Sequence, residues 1–269
     1  MFINGVLCIG IPIVGYLHYR VKPIRYIGIF IAGALSFYLT QLVVRVPLLQ
    51  LALPKFDWYM DLAGESGLLY PFGIALFLGG TAALFETFGR FITLNFLLIK
   101  RLSYRSGIIH GLGHGGIEAI LFVGINHLIY SAYGILFNAG VENPLSFIVP
   151  IEQQKLLQDI LVNTASDQFI AAGFERVMTI FIHVSLSLLI TVGIIKGKKW
   201  TYTLMVFLMH TFVDASVVIG ATYTQNIWIL EGMIAVYGVI ALIIVIKLRG
   251  TIKDEIDFDD ARKAVDEGY

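Results

Sequence analysis

The amino-acid sequence predicts an all-α, polytopic integral membrane protein of about seven transmembrane helices, with the N-terminus outside and the C-terminus in the cytoplasm. Three observations carry that expectation. Apolar windows of about twenty residues recur along the chain, the length that crosses a bilayer as a helix. Only 14% of the residues are charged and mean hydropathy is +0.80, against about 25% charged in a soluble domain. The connections between apolar runs also alternate between basic and neutral or acidic.

The first run, residues 2–19, has no basic residue before it and a basic cluster after it, so it reads as a retained span rather than a cleaved leader. The others fall at 26–46, 67–99, 106–137, 171–195, 200–222 and 226–247. The run 67–99 is too long for one straight crossing at about 1.5 Å per residue, so it is expected to tilt, protrude or break. Arg20, Lys22 and Arg25 follow the first span, Lys100, Arg101 and Arg105 the third, Lys196, Lys198 and Lys199 the fifth, and Lys247, Arg249 and Lys253 the seventh. The remaining connections carry Asp57, Asp61 and Glu65, then Glu142, Glu152, Asp159 and Asp167. Positive charge stays on the cytoplasmic side, which sets the orientation. Residues 1–250 form one helical unit. Within it, residues 144–168 look like an amphipathic segment on the outer interface. Residues 251–269 form a charged cytoplasmic tail, read as a short helix.

Formal net charge is zero and no basic face is present, which argues against nucleic acid as a partner. The expected surroundings are the lipid bilayer, in a bacterial plasma membrane. Cys8 is the only cysteine, which excludes an intrachain disulfide and a multi-cysteine zinc site.

Ionisable groups at bilayer depth cost several kcal/mol each and are functional candidates by default. Glu86 and Arg90 lie on the third span, His114 and Glu118 on the fourth, His183 on the fifth, and His210 and Asp214 on the sixth. The three pairs are each i, i+4, on one helix face. Counted from the cytoplasmic ends at about 1.5 Å per residue, Arg90 and His114 lie at roughly 13 Å, His210 at about 15 Å, His183 and Glu118 near ~18 Å, Glu86 near ~20 Å and Asp214 near ~21 Å. Four antiparallel helices thus place their polar groups in one slab. His18, His110 and His127 fall outside it and read as structural. Arg45 and Glu231, near the outer ends of their spans, are expected to snorkel. Glu175 and Arg176 read as structural or gating, because sequence neighbours do not share a helix face.

No serine or cysteine is placed as a nucleophile, so covalent catalysis is disfavoured. A carboxylate that takes a proton from water fits the set: Glu86, assisted by Glu118 or His183, with His210 and Asp214 stabilising an oxyanion. Histidines plus a carboxylate could equally hold Zn2+ or another divalent metal, with His114, His183, His210 and Glu118 as ligands. His110 and His114 share the i, i+4 spacing of HExxH but lack its glutamate. The glycines of GLGHGGIEAI read as close helix packing or room for a peptide. Two other readings stay open: a proton-coupled transporter or channel, which uses similar buried sets, and a non-catalytic scaffold.

The stretches FETFGR, GHGGIEA, FERVMTIFIH and MHTFVDA, in that order, resemble the YhfC family of intramembrane proteases. That family is similar to the CPBP (CAAX prenyl protease and bacteriocin-processing) and PrsW families. The resemblance covers about residues 1–250. It implies hydrolysis of a peptide bond in or beside the membrane, by glutamate- and histidine-held water or with a divalent metal. The substrate it implies is a membrane-embedded or membrane-proximal peptide. It makes Glu86 the leading glutamate, His183 the histidine of the second motif, and His210 with Asp214 the last motif. Arg90 would orient Glu86, and His114 would hold water or metal. Thr87 stands where a second glutamate is usual, Arg90 is one residue closer than in the CPBP pattern, and Thr179 replaces a phenylalanine. Glu118 is the candidate for the second carboxylate.

Overall fold

A computed structural model of the chain describes residues 1–20, 23–64 and 70–255. Seven helical segments among them are long and apolar enough to cross a membrane, and no strand occurs among the described residues. The first span is α1 (Phe2–Tyr19). The second starts as α2 (Pro23–Phe37) and continues without a break to Lys55. The short helix α3 (Asp57–Ala63) follows. The third span is α4 (Phe72–Ile92), extended by a π-helical turn over Thr93–Leu97. The fourth comprises α5 (Tyr104–Ala119), a π turn over Ile120–Gly124, and α6 (Ile125–Asn138). After α7 (Ile151–Asn163) come α8 (Ser166–Ile195), α9 (Lys199–Tyr223) and α10 (Ile227–Leu248).

Three boundaries differ from the sequence expectation. The second span runs to Lys55 rather than 46, because the helix passes Pro47 between two π-helical stretches, Tyr38–Arg45 and Leu48–Ala52. A proline lacks the amide hydrogen that an α turn needs, and shifted bonding accommodates the loss. The third span begins at Phe72 and is unbroken to Leu97. Its expected start at 67 lies outside the described residues. The fifth starts at Ser166, because extended backbone at Thr164 and Ala165 ends α7 and opens α8. The interfacial segment therefore holds a thirteen-residue helix rather than one spanning 144–168.

The bundle is built around α5 and α8. For α8, 72% of its apolar window is enclosed by other helices, against 17% for α9. The glycines of α5 explain how so many helices reach it. A Cβ at Gly111 or Gly115 would collide with α8, at Val184 and His183. One at Gly113 would overlap the Phe30 carbonyl of α2, and one at Gly116 would meet Pro12 of α1 at 2.5 Å. The small-residue run is thus close packing on three sides. The N-terminus of α5 is fastened by a Ser103–Ser106 capping box. Residues 251–255 also fold back onto it: Tyr104 N donates to Lys253 O at 2.9 Å and Arg105 N to Asp254 O at 3.1 Å. The rest of the expected tail, with its helix, lies outside the described residues.

Candidate metal centre

Glu86 of α4 is fully enclosed, and its Oε2 is the point where four elements meet. His114 Nε2 of α5 lies 3.0 Å away and Arg90 Nη2, one turn along α4, lies 3.2 Å away. His183 Nδ1 of α8 and His210 Nε2 of α9 are each at 3.8 Å. Arg90 Nη2 also donates to His183 Nδ1 at 2.6 Å, and on the other ring edge His183 Nε2 sits 2.6 Å from Glu118 Oε2. His210 Nε2 is 3.5 Å from Asp214 Oδ2. All seven ionisable groups singled out by depth therefore converge. Among the described residues, Glu86, His114 and His183 offer ligand atoms that all lie within 4.8 Å of one another.

Two histidines one turn apart on α5 differ in how they are satisfied. Thr93 Oγ1 gives its single proton to a backbone carbonyl of its own helix, so it accepts from His110 Nε2 at 2.8 Å. Ser187 Oγ then donates to His110 Nδ1 at 3.2 Å, and the ring is fully paired. His114 is not. Ser36 Oγ donates to Gly33 O at 2.6 Å, so it accepts from His114 Nδ1 at 2.7 Å. A neutral His114 then turns the lone pair of Nε2 toward the Glu86 carboxylate at 3.0 Å, two acceptors face to face. A positive charge is needed between them, either a proton or a metal cation.

The donor set fits a divalent metal on this chemistry. Carboxylate oxygen and imidazole nitrogen suit Zn2+ and related first-row ions. The outer nitrogen of His114 is fixed by Ser36, as in ligand histidines whose second nitrogen is anchored. Glu118 Oε2 and His210 Nδ1 are buried and lack a hydrogen-bond partner among the described residues. The 2.6 Å approach of His183 Nε2 to Glu118 Oε2 is therefore a close contact at an angle outside a hydrogen bond.

Beside these groups is a cavity of about 250 Å3, walled by Gln41, Glu86, Glu118, His183, His210 and Asp214 and extending to Glu175, Arg176 and Val217. The groups around it bear on three sequence expectations. Arg176 bridges Glu118 Oε1, at 2.6 Å, and its neighbour Glu175 despite their adjacency, because a long guanidinium reaches both. Arg45 does not snorkel. Its span ends ten residues later, and it bonds inward to Leu78 O at 2.8 Å, Thr81 Oγ1 at 3.1 Å and Gln41 Oε1 at 3.2 Å. Glu231 is 4% exposed, because it lies on the stripe of α10, with Ile234, Gly238, Ala241 and Val245, that is buried in the bundle. Sequence reasoning missed Ser36 and Gln41. Gln41 Nε2 donates to Glu86 Oε1 at 2.5 Å. Neither residue is ionisable, and no signal short of the contact marks them.

Fold and site together define a polytopic membrane protein with a carboxylate–histidine centre enclosed among its spans. The chain belongs to the YhfC intramembrane metalloprotease family, whose sequence profile matches residues 7–240 and so includes every group above. It is similar to the uncharacterized membrane protein YhfC of Bacillus subtilis (strain 168), with 25% identity over 252 residues, covering 93% of both chains. No solved structure matches it. The protein is an integral membrane protein.

Proposed function

We propose that the protein is an intramembrane metalloprotease that hydrolyses a peptide bond in or next to the bilayer. The observation that carries this reading is the buried Glu86–His114–His183 group, with ligand atoms within 4.8 Å of one another beside a cavity among the spans. The family description points the same way and favours a metal over a purely glutamate-based hydrolysis.

Glu86, His114 and His183 would hold the ion. A divalent cation there would polarise the scissile carbonyl and ease deprotonation of the attacking water. The chain's own residues do the rest. Glu118, fixed through Oε1 by Arg176, keeps Oε2 beside His183 at the centre and would accept the proton of the attacking water. His210, backed by Asp214, faces the position of the developing oxyanion. Arg90 pairs with Glu86 and holds His183 by Nδ1, which keeps both in place. The substrate is a peptide segment in or at the membrane, admitted through the cavity.

The test uses purified full-length protein in nanodiscs, with metal analysis and a cleavable membrane-spanning peptide. We expect close to one equivalent of bound divalent metal, cleavage abolished by chelation and restored by Zn2+, and no cleavage by Glu86→Gln. Cleavage that survives both chelation and Glu86→Gln overturns the reading. Proton flux through liposomes without proteolysis supports the transporter instead.

A further inference from the structure

We propose that the π-helical stretch after α2 is the orienting device of this site: Gln41, braced by Arg45, occupies Glu86 Oε1 and leaves Oε2 alone to face the cation. The inference rests on the metalloprotease reading for the cation and on the hydrogen-bond chain for the rest. Arg45 Nη1 donates to Gln41 Oε1 at 3.2 Å, and Gln41 Nε2 donates to Glu86 Oε1 at 2.5 Å. A guanidinium only donates and an ionised carboxylate only accepts. A side-chain amide carries one group of each kind, so its orientation between them is forced. A flipped amide sets donor against donor at one end and acceptor against acceptor at the other. Arg45 is itself pinned by Leu78 O and Thr81 Oγ1, on the same α4 that carries Glu86. The chain of bonds therefore leaves α4, passes through the second span and returns to α4.

The helix geometry makes this possible. Ser36, five residues before Gln41, anchors His114 at 2.7 Å, so both residues must face the site. In an α-helix, at 3.6 residues per turn, positions i and i+5 are about 140° apart and could not do so. A π turn closes i to i+5 and brings such positions nearly into line. The π-helical bonding over Tyr38–Arg45 turns the chain less per residue and so narrows that angle. One element thus holds two of the three candidate ligands in register, His114 through Ser36 and Glu86 through Gln41. In this role Gln41 and Arg45 are positioning residues. They touch the ligand carboxylate or one another, not the reacting atoms.

The test is Co2+ binding to purified full-length protein in nanodiscs, followed by calorimetry and by the visible absorption bands of the bound ion. Gln41→Leu is expected to weaken Co2+ binding by about 10–100-fold and to shift those bands. Arg45→Met is expected to weaken it through the same route. The double variant is then expected to bind no more weakly than Gln41→Leu alone. Binding and spectrum unchanged in Gln41→Leu, with only a lower melting temperature, reduce the contact to helix packing and overturn the proposal. Additive losses in the double variant overturn the role of Arg45. If the unaltered protein binds no Co2+, the metal reading fails separately. The orientation is then read on metal-free protein from the Glu86 carboxylate stretch, assigned by its loss in Glu86→Gln. A shift of that band in Gln41→Leu supports the relay, and an unmoved band overturns it.

Discussion

His110 and His114 occupy successive turns of one face of α5, both fully buried, and only their partners tell them apart. His110 has a hydroxyl on each nitrogen, whereas His114 has a hydroxyl on one and a carboxylate on the other. His110→Ala leaves Thr93 and Ser187 short of a partner, at about 1–3 kcal/mol for an unsatisfied buried group. Thermal unfolding should register that loss while the metal content of the folded protein stays unchanged. His114→Ala removes a proposed ligand and should empty the site. Equal metal loss in both variants sinks the distinction. The seven ionisable groups were legible because charge in an apolar run is costly and therefore conspicuous. The residues that orient them were not, since a serine or glutamine in a span costs far less. Arg45 was misjudged for a different reason: depth was counted from a span end placed at 46, and that end lies at Lys55.

At the scale of elements, the site depends on α5 being approached closely from three sides. Gly33 of α2 and Gly113 of α5 sit back to back with the other helix's carbonyl oxygens, His110 O and Phe30 O. Rigid backbone cannot give way as a flexible side-chain tip can. Gly33→Ala or Gly113→Ala should therefore cost about 1–3 kcal/mol or more, together with loss of metal binding as α2 is pushed off. Gly28 is also on α2, but a methyl group there would meet nothing within 4 Å, so Gly28→Ala is the matched control. It should be neutral or stabilising by up to about 1 kcal/mol. A thermal melt in one detergent compares all three, and equal melting temperatures overturn the packing account. Hydropathy located all seven spans, because apolar length is what a bilayer selects. It could not locate the π turns, whose bonding depends on which residues must face the site rather than on composition. Nor could it show that α7 ends at Asn163, since the break is two residues of extended backbone in a polar stretch.

Across the whole molecule, the cavity has a direction. From His210 and Glu86 it extends to Glu175 and Arg176, in the first third of α8, and to Val217, near the end of α9. Those places lie toward the end of the bundle where α9 hands over to α10, and away from the basic turn Lys196–Lys199 between α8 and α9. The basic turns cluster on one side by the same charge bias that sets the orientation of membrane proteins. The cavity should therefore open to the outside and be closed from the cytoplasm. Cys8 is buried, so single cysteines can be introduced with little background. In intact cells, a charged, membrane-impermeant thiol reagent should label Gln225→Cys rapidly and Val217→Cys more slowly, through the cavity. Lys198→Cys should react only after permeabilisation. Labelling of Lys198→Cys in intact cells with Gln225→Cys protected inverts the orientation. Val217→Cys protected while Gln225→Cys reacts shows a cavity shut off from outside water.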